Sequence, residues 1–170
     1  MDRALREPDA REEIGRLMAE YGDGILRQCL LMLGDLSQAE DAAQETFVRA
    51  WQSYGGFRAE ASEKTWLTAI AANVCRNLLR SPWNRRRVDL SFLEGCSAGE
   101  TETPDDTVVR AVLALPPKYR QVVVLYYYRD CSTGEIAQML GIPQGTVSVR
   151  LKRARERLKP MLKEWYDEEG

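Results

Sequence analysis

Apolar residues along the chain recur mostly at spacings of three and four with polar residues between them, a pattern that predicts helices. Ile14, Leu17, Met18, Tyr21, Ile25, Leu26, Cys29, Leu30 and Leu33 form one long stripe that Gly34-Asp35 ends. Gly22 and Gly24 weaken its middle by about 1 kcal/mol each. Ser37-Gln-Ala-Glu40 has the form of a capping box and opens a second helix. There Ala42, Ala43, Phe47 and Trp51 are placed toward the first helix, with Val48 beside them, and Asp41, Gln44 and Glu45 on a polar, acidic side. The segment 53–62 reads as a loop carrying two aromatics, Tyr54 and Phe57, with little reason for burial. A third helix is expected over 63–80, its core face formed by Leu67, Ile70, Ala71, Val74 and Leu78. Trp66, Asn73, Arg76, Asn77 and Arg80 share the other side. A tryptophan among asparagines and arginines has two readings: stacking on an unpaired base, worth about 1–3 kcal/mol, or packing beneath the preceding loop.

Residues 81–106 change character. They hold no sustained period, pass from Arg85, Arg86 and Arg87 to an acidic end, and are longer than most loops within a compact domain. This segment reads as a linker between residues 1–80 and 107–170. Thr103-Pro104-Asp105-Asp106 supplies an N-cap, a proline and early acids for the next helix. Val108, Val109, Val112 and Leu115 continue it, and Pro116-Pro117 breaks the chain and starts another. Val122 to Leu125 is core, strand-like by residue type but helical by its surroundings. The expected fold is all-α, two small helical domains joined by a flexible linker.

Cys131 to Arg157 reads as two short helices joined by a tight turn. Ser132-Thr-Gly-Glu135 is a capping box, Gly141 fits a left-handed position past a helix end, and Pro143 suits the first turn of the next helix. Val147, Leu151, Ala154 and Leu158 give that helix a thin buried stripe. Ser148, Val149, Lys152, Arg153 and Glu156 point away from it, flanked by Arg150, Arg155, Arg157 and Lys159. A thin apolar stripe with cations around it suits a helix lying in the major groove of DNA. The segment is therefore read as a helix-turn-helix, although a solvated basic face is the usual meaning of cations alone.

Charge sharpens that reading. The 170-residue chain has a net charge of −2 and a pI near 5.4, unlike a free-standing DNA binder. Residues 144–163, however, hold seven Lys/Arg and one Glu, whereas 35–45 hold four acids and no base. Such segregation predicts one surface for DNA and another for a basic protein partner. No apolar run approaches the roughly 20 residues that span a bilayer, and the charged start MDRALREPDAREE does not fit a signal peptide, so a cytoplasmic location is expected. With no histidine, no Cys-x-x-Cys and no nucleophile motif, neither a metal, a cofactor nor an enzymatic activity is expected. Cys29 and Cys75 fall on apolar faces and read as buried; Cys96 and Cys131 lie in a linker and a turn, where exposure is plausible.

Three runs, GDLSQAEDAAQETFVRAW (34–51), FRAEASEKTWLTAIAANVCRNLLR (57–80) and ALPPKYRQVVVLYYYRDCSTGEIAQMLGIPQGTVSVRLKRARERL (114–158), together resemble the extracytoplasmic-function sigma factors. These are small sigma-70-type subunits holding only sigma domains 2 and 4. The resemblance implies that helix 38–51 docks on the clamp helices of the largest RNA polymerase subunit, through Asp41, Gln44, Glu45 and Arg49 with Phe47 and Trp51. It also implies a domain 4 contact with the polymerase flap. It places recognition and melting of the −10 element on Tyr54, Phe57, Trp66, Asn73, Arg76, Asn77 and Arg80. It places −35 recognition on Thr146, Ser148, Val149, Arg150, Lys152, Arg153 and Arg155, and it implies an anti-sigma factor. The chain departs from the family where many members carry Arg or Lys and then Ser; here these are Ser148 and Val149. Valine offers a base only apolar contact, so a thymine methyl is expected against Val149. A LuxR-type helix-turn-helix regulator acting without polymerase would leave residues 34–80 unexplained, and a sigma-like decoy that binds without initiating stands as a third reading.

Overall fold

The computed structural model describes residues 6–54, 62–81 and 104–162, and among these there are helices and no strand. Phe57, Cys96, the Thr103 cap, most of the expected linker and residues 163–170 lie outside the described residues. Helices α1 (Arg6–Leu33), α2 (Leu36–Ser53) and α3 (Glu63–Leu79) pack against one another. The second half comprises α4 (Pro104–Ala114), α5 (Pro117–Val123), α6 (Thr133–Leu140) and α7 (Gln144–Met161).

Local chemistry sets most boundaries, with corrections. Gly34 takes a left-handed φ of 72°, which leaves Asp35 extended at φ −144°. Its carboxylate then accepts from the Gln38 N–H at 2.8 Å, so Asp35 caps α2 and the expected Ser37 box is displaced. A carboxylate is also the better partner for the positive end of a helix dipole. Ser62 caps α3 by accepting from the Thr65 N–H at 3.0 Å. Pro143 is the N-cap of α7 and not its first helical residue. On α2 the buried stripe is Ala39, Ala42, Thr46, Phe47 and Ala50, which carries Trp51 round to the exposed side. Met18, expected in the α1 stripe, is half exposed.

Between α5 and α6 the backbone widens into a π-helical turn, Val124–Tyr128, closed by Arg129 N–H donating to the Val124 carbonyl at 3.1 Å. A π turn inserts one residue and re-aims the side chains that follow. Cys131, whose place in a turn left exposure open, is buried here with its thiol 3.8 Å from the Arg129 carbonyl, and burial pushes its pKa up to about 11. Cys29 and Cys75 are fully buried, and the thiol of Cys75 is pushed up by its hydrogen bond with Cys29 and by burial. Thiols so held are poor nucleophiles.

One apolar core runs through both halves, from Leu17, Ile25, Leu67 and Cys75 to Val122, Leu125, Ile136, Leu140, Val147 and Leu151. A smaller cluster, Leu115, Tyr119, Val123 and Ala154, lies within the second half. Two buried guanidinium groups from the second half plug into the first. Arg120, 2% exposed, donates to the Met32 carbonyl at 2.9 Å and to those of Leu113 and Leu115 at 3.2 and 3.5 Å. Those carbonyls lie at the C-terminal, electronegative ends of α1 and α4, where a cation is favourable. Arg129 donates to the Thr68 hydroxyl at 3.0 Å and lies over Gly24, where a Cβ would meet its Nη1 at 2.8 Å. Gly24 is thus a site of close approach and not only a weak point in α1.

At the far edge, Arg16 on α1 binds Glu63 on α3 at 2.7 Å while also holding Glu13 and Glu20. Hydrogen bonding from Arg16 keeps the Glu63 carboxyl below its ordinary range. Its folded pKa being depressed, the stability it contributes is present above the ordinary glutamate value of about 4.3 and is lost as pH falls through the depressed value. Glu63→Gln is therefore expected to flatten the acid limb of the stability profile. Urea unfolding from about pH 7 to about pH 3 tests this, and an acid slope equal to that of the unsubstituted chain would refute it.

Candidate nucleic-acid interface

The helix-turn-helix is built by local bonds. Ser132 and Glu135 form the reciprocal box, Glu135 N–H to Ser132 Oγ at 3.1 Å and Ser132 N–H to Glu135 Oε1 at 2.9 Å. Gly141 adopts φ +65°, ending α6, and Gln144 at the start of α7 donates to the Thr133 hydroxyl at 2.8 Å. Val147, Leu151 and Ala154 are buried, fixing α7 by one narrow stripe. Ser148, Val149, Lys152, Arg153 and Arg155 are exposed and Thr146 and Arg150 half-buried, so none of the seven expected −35 residues is buried. Val149 stands 46% exposed, free to meet a methyl group. The Ser148 hydroxyl donates back to the Gln144 carbonyl at 3.3 Å.

Arg155 differs in having aromatic partners. It sits at the edge of the buried stripe nearest the π turn, where its Nε donates to Tyr127 Oη at 2.6 Å and its guanidinium lies 5.6 Å from the rings of both Tyr126 and Tyr127. The bond to Tyr127 raises its pKa above the ordinary value. In this packing Arg155 stays exposed while an aromatic clamp holds its guanidinium. Across the helix a cleft of about 330 Å³ is lined by Lys118, Tyr119, Gly145, Thr146, Val149, Arg150 and Arg153. Nothing in the periodicity of residues 114–125 singles out Lys118, because the feature that matters is its distance to a helix thirty residues on.

On α3, Asn73 is half-buried and its Oδ1 accepts from Arg49 Nη1 at 3.2 Å and from Asn77 at 3.4 Å. Arg49 also holds Glu45 at 3.0 Å, so it ties α2 to α3 while remaining partly open. Trp66 meets Tyr54 edge-on, ring centroids 6.4 Å apart, and both rings pack on the core. This corrects the expectation of an unburied Tyr54 and favours the packing reading of Trp66. The Arg76 guanidinium donates to the Leu140 carbonyl at the end of α6. It also lies over Gly141, where a Cβ would come within 3.2 Å of its Nη1. Burial, then the neighbouring Arg80, lowers the pKa of Arg76. Asn77 and Arg80 are exposed.

The outer face of α2 presents Asp41, Gln44 and Glu45 in the open, joined by Val48 (45% exposed) and Trp51 (47%). The spacing 41, 44, 45, 48, 51 is one helical stripe, acidic at one end and apolar at the other. Val48 is a member that the sequence reading assigned to the inner face. Phe47 is only 6% exposed and supports this face from beneath. Among the described residues no group of three or more His, Cys, Asp or Glu could hold a metal ion, and no helix is long and apolar enough to cross a membrane.

Two family models match the chain: sigma-70 region 2 over residues 17–86 and sigma-70 region 4 over 105–158. The extracytoplasmic-function RNA polymerase sigma factor SigW of Bacillus subtilis is 35% identical over 160 residues, covering 85% of this chain and 86% of the relative. SigL of Mycobacterium tuberculosis is 35% identical over 158 residues, covering 87% and 88%. The RNA polymerase sigma-H factor of Pseudomonas aeruginosa is 31% identical over 168 residues, covering 87% of each. Among solved structures, CnrH in complex with the cytosolic domain of CnrY aligns with a TM-score of 0.65 at 27% identity, covering 91% of this chain and 90% of that one. RpoE of Bartonella quintana, solved with the anti-sigma factor NepR, shares the fold with a TM-score of 0.67 at 22% identity, covering 89% and 98%.

Proposed function

The chain belongs to the sigma-70 family as an extracytoplasmic-function RNA polymerase sigma factor, and we propose that it reads promoters with two separate faces once core polymerase has parted them. It directs promoter-specific initiation, and its match to sigma-70 region 2 over 17–86 weighs against the LuxR-type regulator, which has no use for that half. The observation that carries the division of labour is the open side of α7: Thr146, Ser148, Val149, Arg150, Lys152 and Arg153 on a helix fixed by a capped, left-handed turn. Residues 1–80 act as domain 2, 81–106 as linker and 107–170 as domain 4. The stripe Asp41, Gln44, Glu45, Val48 and Trp51 docks on the basic clamp helices of the largest polymerase subunit. Asn73, Arg76 and Asn77 meet the unpaired non-template strand at −10, and α7 lies in the −35 major groove with Val149 against a thymine methyl. The chain supplies binding energy and positioning, and bond chemistry is left to the polymerase.

The packing of the two halves supports a resting form. Arg76 is engaged with Leu140, so a residue assigned to the −10 element is turned toward the helix-turn-helix until the halves separate. An anti-sigma factor that binds both halves would hold this form; CnrH, solved with the cytosolic domain of CnrY, is a structural relative. Run-off transcription with core polymerase, on the promoter upstream of the chain's own gene, tests the whole reading. A transcript that requires the chain and falls at least tenfold with Asn73→Ala or with Arg153→Ala is expected, each change removing about 1.4 kcal/mol or more of promoter binding. Promoter binding by the chain alone with no dependence on polymerase would refute it.

A further inference from the structure

The cleft between the start of α5 and the outer edge of α7 gathers cations around a buried ring. Tyr119 is only 4% exposed and belongs to the small core of the second half. The Lys118 ammonium stands 5.0 Å from its ring centroid, and the Arg157 guanidinium 5.1 Å. Burial by itself would raise the pKa of Tyr119, but the neighbouring Arg153 guanidinium and the charges of Lys118 and Arg157 outweigh this and pull it below the ordinary value. Arg150 and Arg153 complete the cleft wall. No acidic side chain lines it. Three cations line the cleft and Arg157 stands against its tyrosine ring; like charges so gathered repel one another, an arrangement that is relieved when an anion enters.

We propose that this cleft takes a backbone phosphate of duplex DNA at the edge of the −35 groove, with Lys118 as the added contact. The proposal rests on the assignment of α7 to −35 recognition and extends the DNA surface to a second helix. Geometry favours phosphate over a base edge. Thr146 and Val149 line both the cleft and the open side of α7, so the cleft borders the reading face while Lys118 projects from another helix beside it. Such a contact fixes the register of the recognition helix and carries no sequence information. It is also sequence-independent and strongly dependent on salt.

The test uses reconstituted holoenzyme and a duplex selected by that holoenzyme from a randomised pool. Binding is measured over a salt series, with methylphosphonate replacing single phosphates along the −35 region. Lys118 is exposed, so Lys118→Gln leaves the core intact. It is expected to lower the slope of log affinity against log salt by about 0.9 while leaving base preferences unchanged. One methylphosphonate position should weaken the unsubstituted protein and have no effect on the Lys118→Gln protein. Arg153→Ala is the control for the underlying assignment: undiminished −35 binding there means that α7 is not the reader. If Arg153→Ala weakens binding while Lys118→Gln leaves affinity, slope and methylphosphonate pattern unchanged, the phosphate site is overturned and the assignment of α7 stands.

Discussion

A chain whose Lys64 ammonium and Asp130 carboxylate are joined as an amide is expected to support no more run-off transcript than polymerase alone. The two groups face each other across the halves at 3.8 Å, and both are open to a water-soluble carbodiimide, which condenses them with loss of water. As an ion pair they matter little, since exposed pairs contribute about 0–1 kcal/mol. As a covalent bond they hold α3 against the π turn and α6, and keep Arg76 on the Leu140 carbonyl. If initiation needs the −10 and −35 faces apart, the tether blocks it. Lys64→Gln protein put through the same treatment controls for modification of other carboxylates and should stay active. Purified cross-linked chain that initiates as well as the untreated one would show that the packed form is itself competent.

Arg120→Met should lower the unfolding free energy by about 3 kcal/mol. Two effects oppose each other. Methionine relieves a buried charge, whose burial pulls the Arg120 pKa down to about 10 while leaving it protonated at neutral pH, and replacing a buried ion pair with apolar residues is often neutral or stabilising. Here, however, the partners are three backbone carbonyls, Met32, Leu113 and Leu115, and these stay behind. A buried acceptor left without a donor costs about 1–3 kcal/mol, so the loss exceeds the relief. Because the bond to Met32 joins the halves through one continuous core, the substitution should also divide a single urea transition into two. A midpoint equal to that of the unsubstituted chain would show that desolvation of the guanidinium cancels all three bonds.

These expectations depend on features of different legibility. The Ser132 box, the left-handed Gly141, the stripe Val147–Leu151–Ala154 and the acidic side of α2 were all readable along the chain, because caps and helical periods act within about four residues. So was the accessibility of the seven residues expected along α7, none of which is buried. Neighbouring turn geometry was less readable: Gly34 decides that Asp35, and not Ser37, caps α2, and the π turn hides Cys131. The directions of the long cationic side chains were not readable at all. Arg120 finds its partner 88 residues away, Arg76 64 away, Arg129 61 away and Arg155 28 away. On a helical wheel each of these is only a polar position beside an apolar stripe. Which carbonyl, hydroxyl or ring receives a guanidinium at the end of a flexible chain is set by the surface that packing brings opposite. The sequence by itself therefore determined the helices, the Ser132 cap and the exposed face of α7. Only the tertiary structure decided that the halves share one core, that Arg76 is engaged by Leu140 and Arg155 by Tyr127, and that Lys118 stands beside α7, because those outcomes depend on distances between elements far apart in the chain.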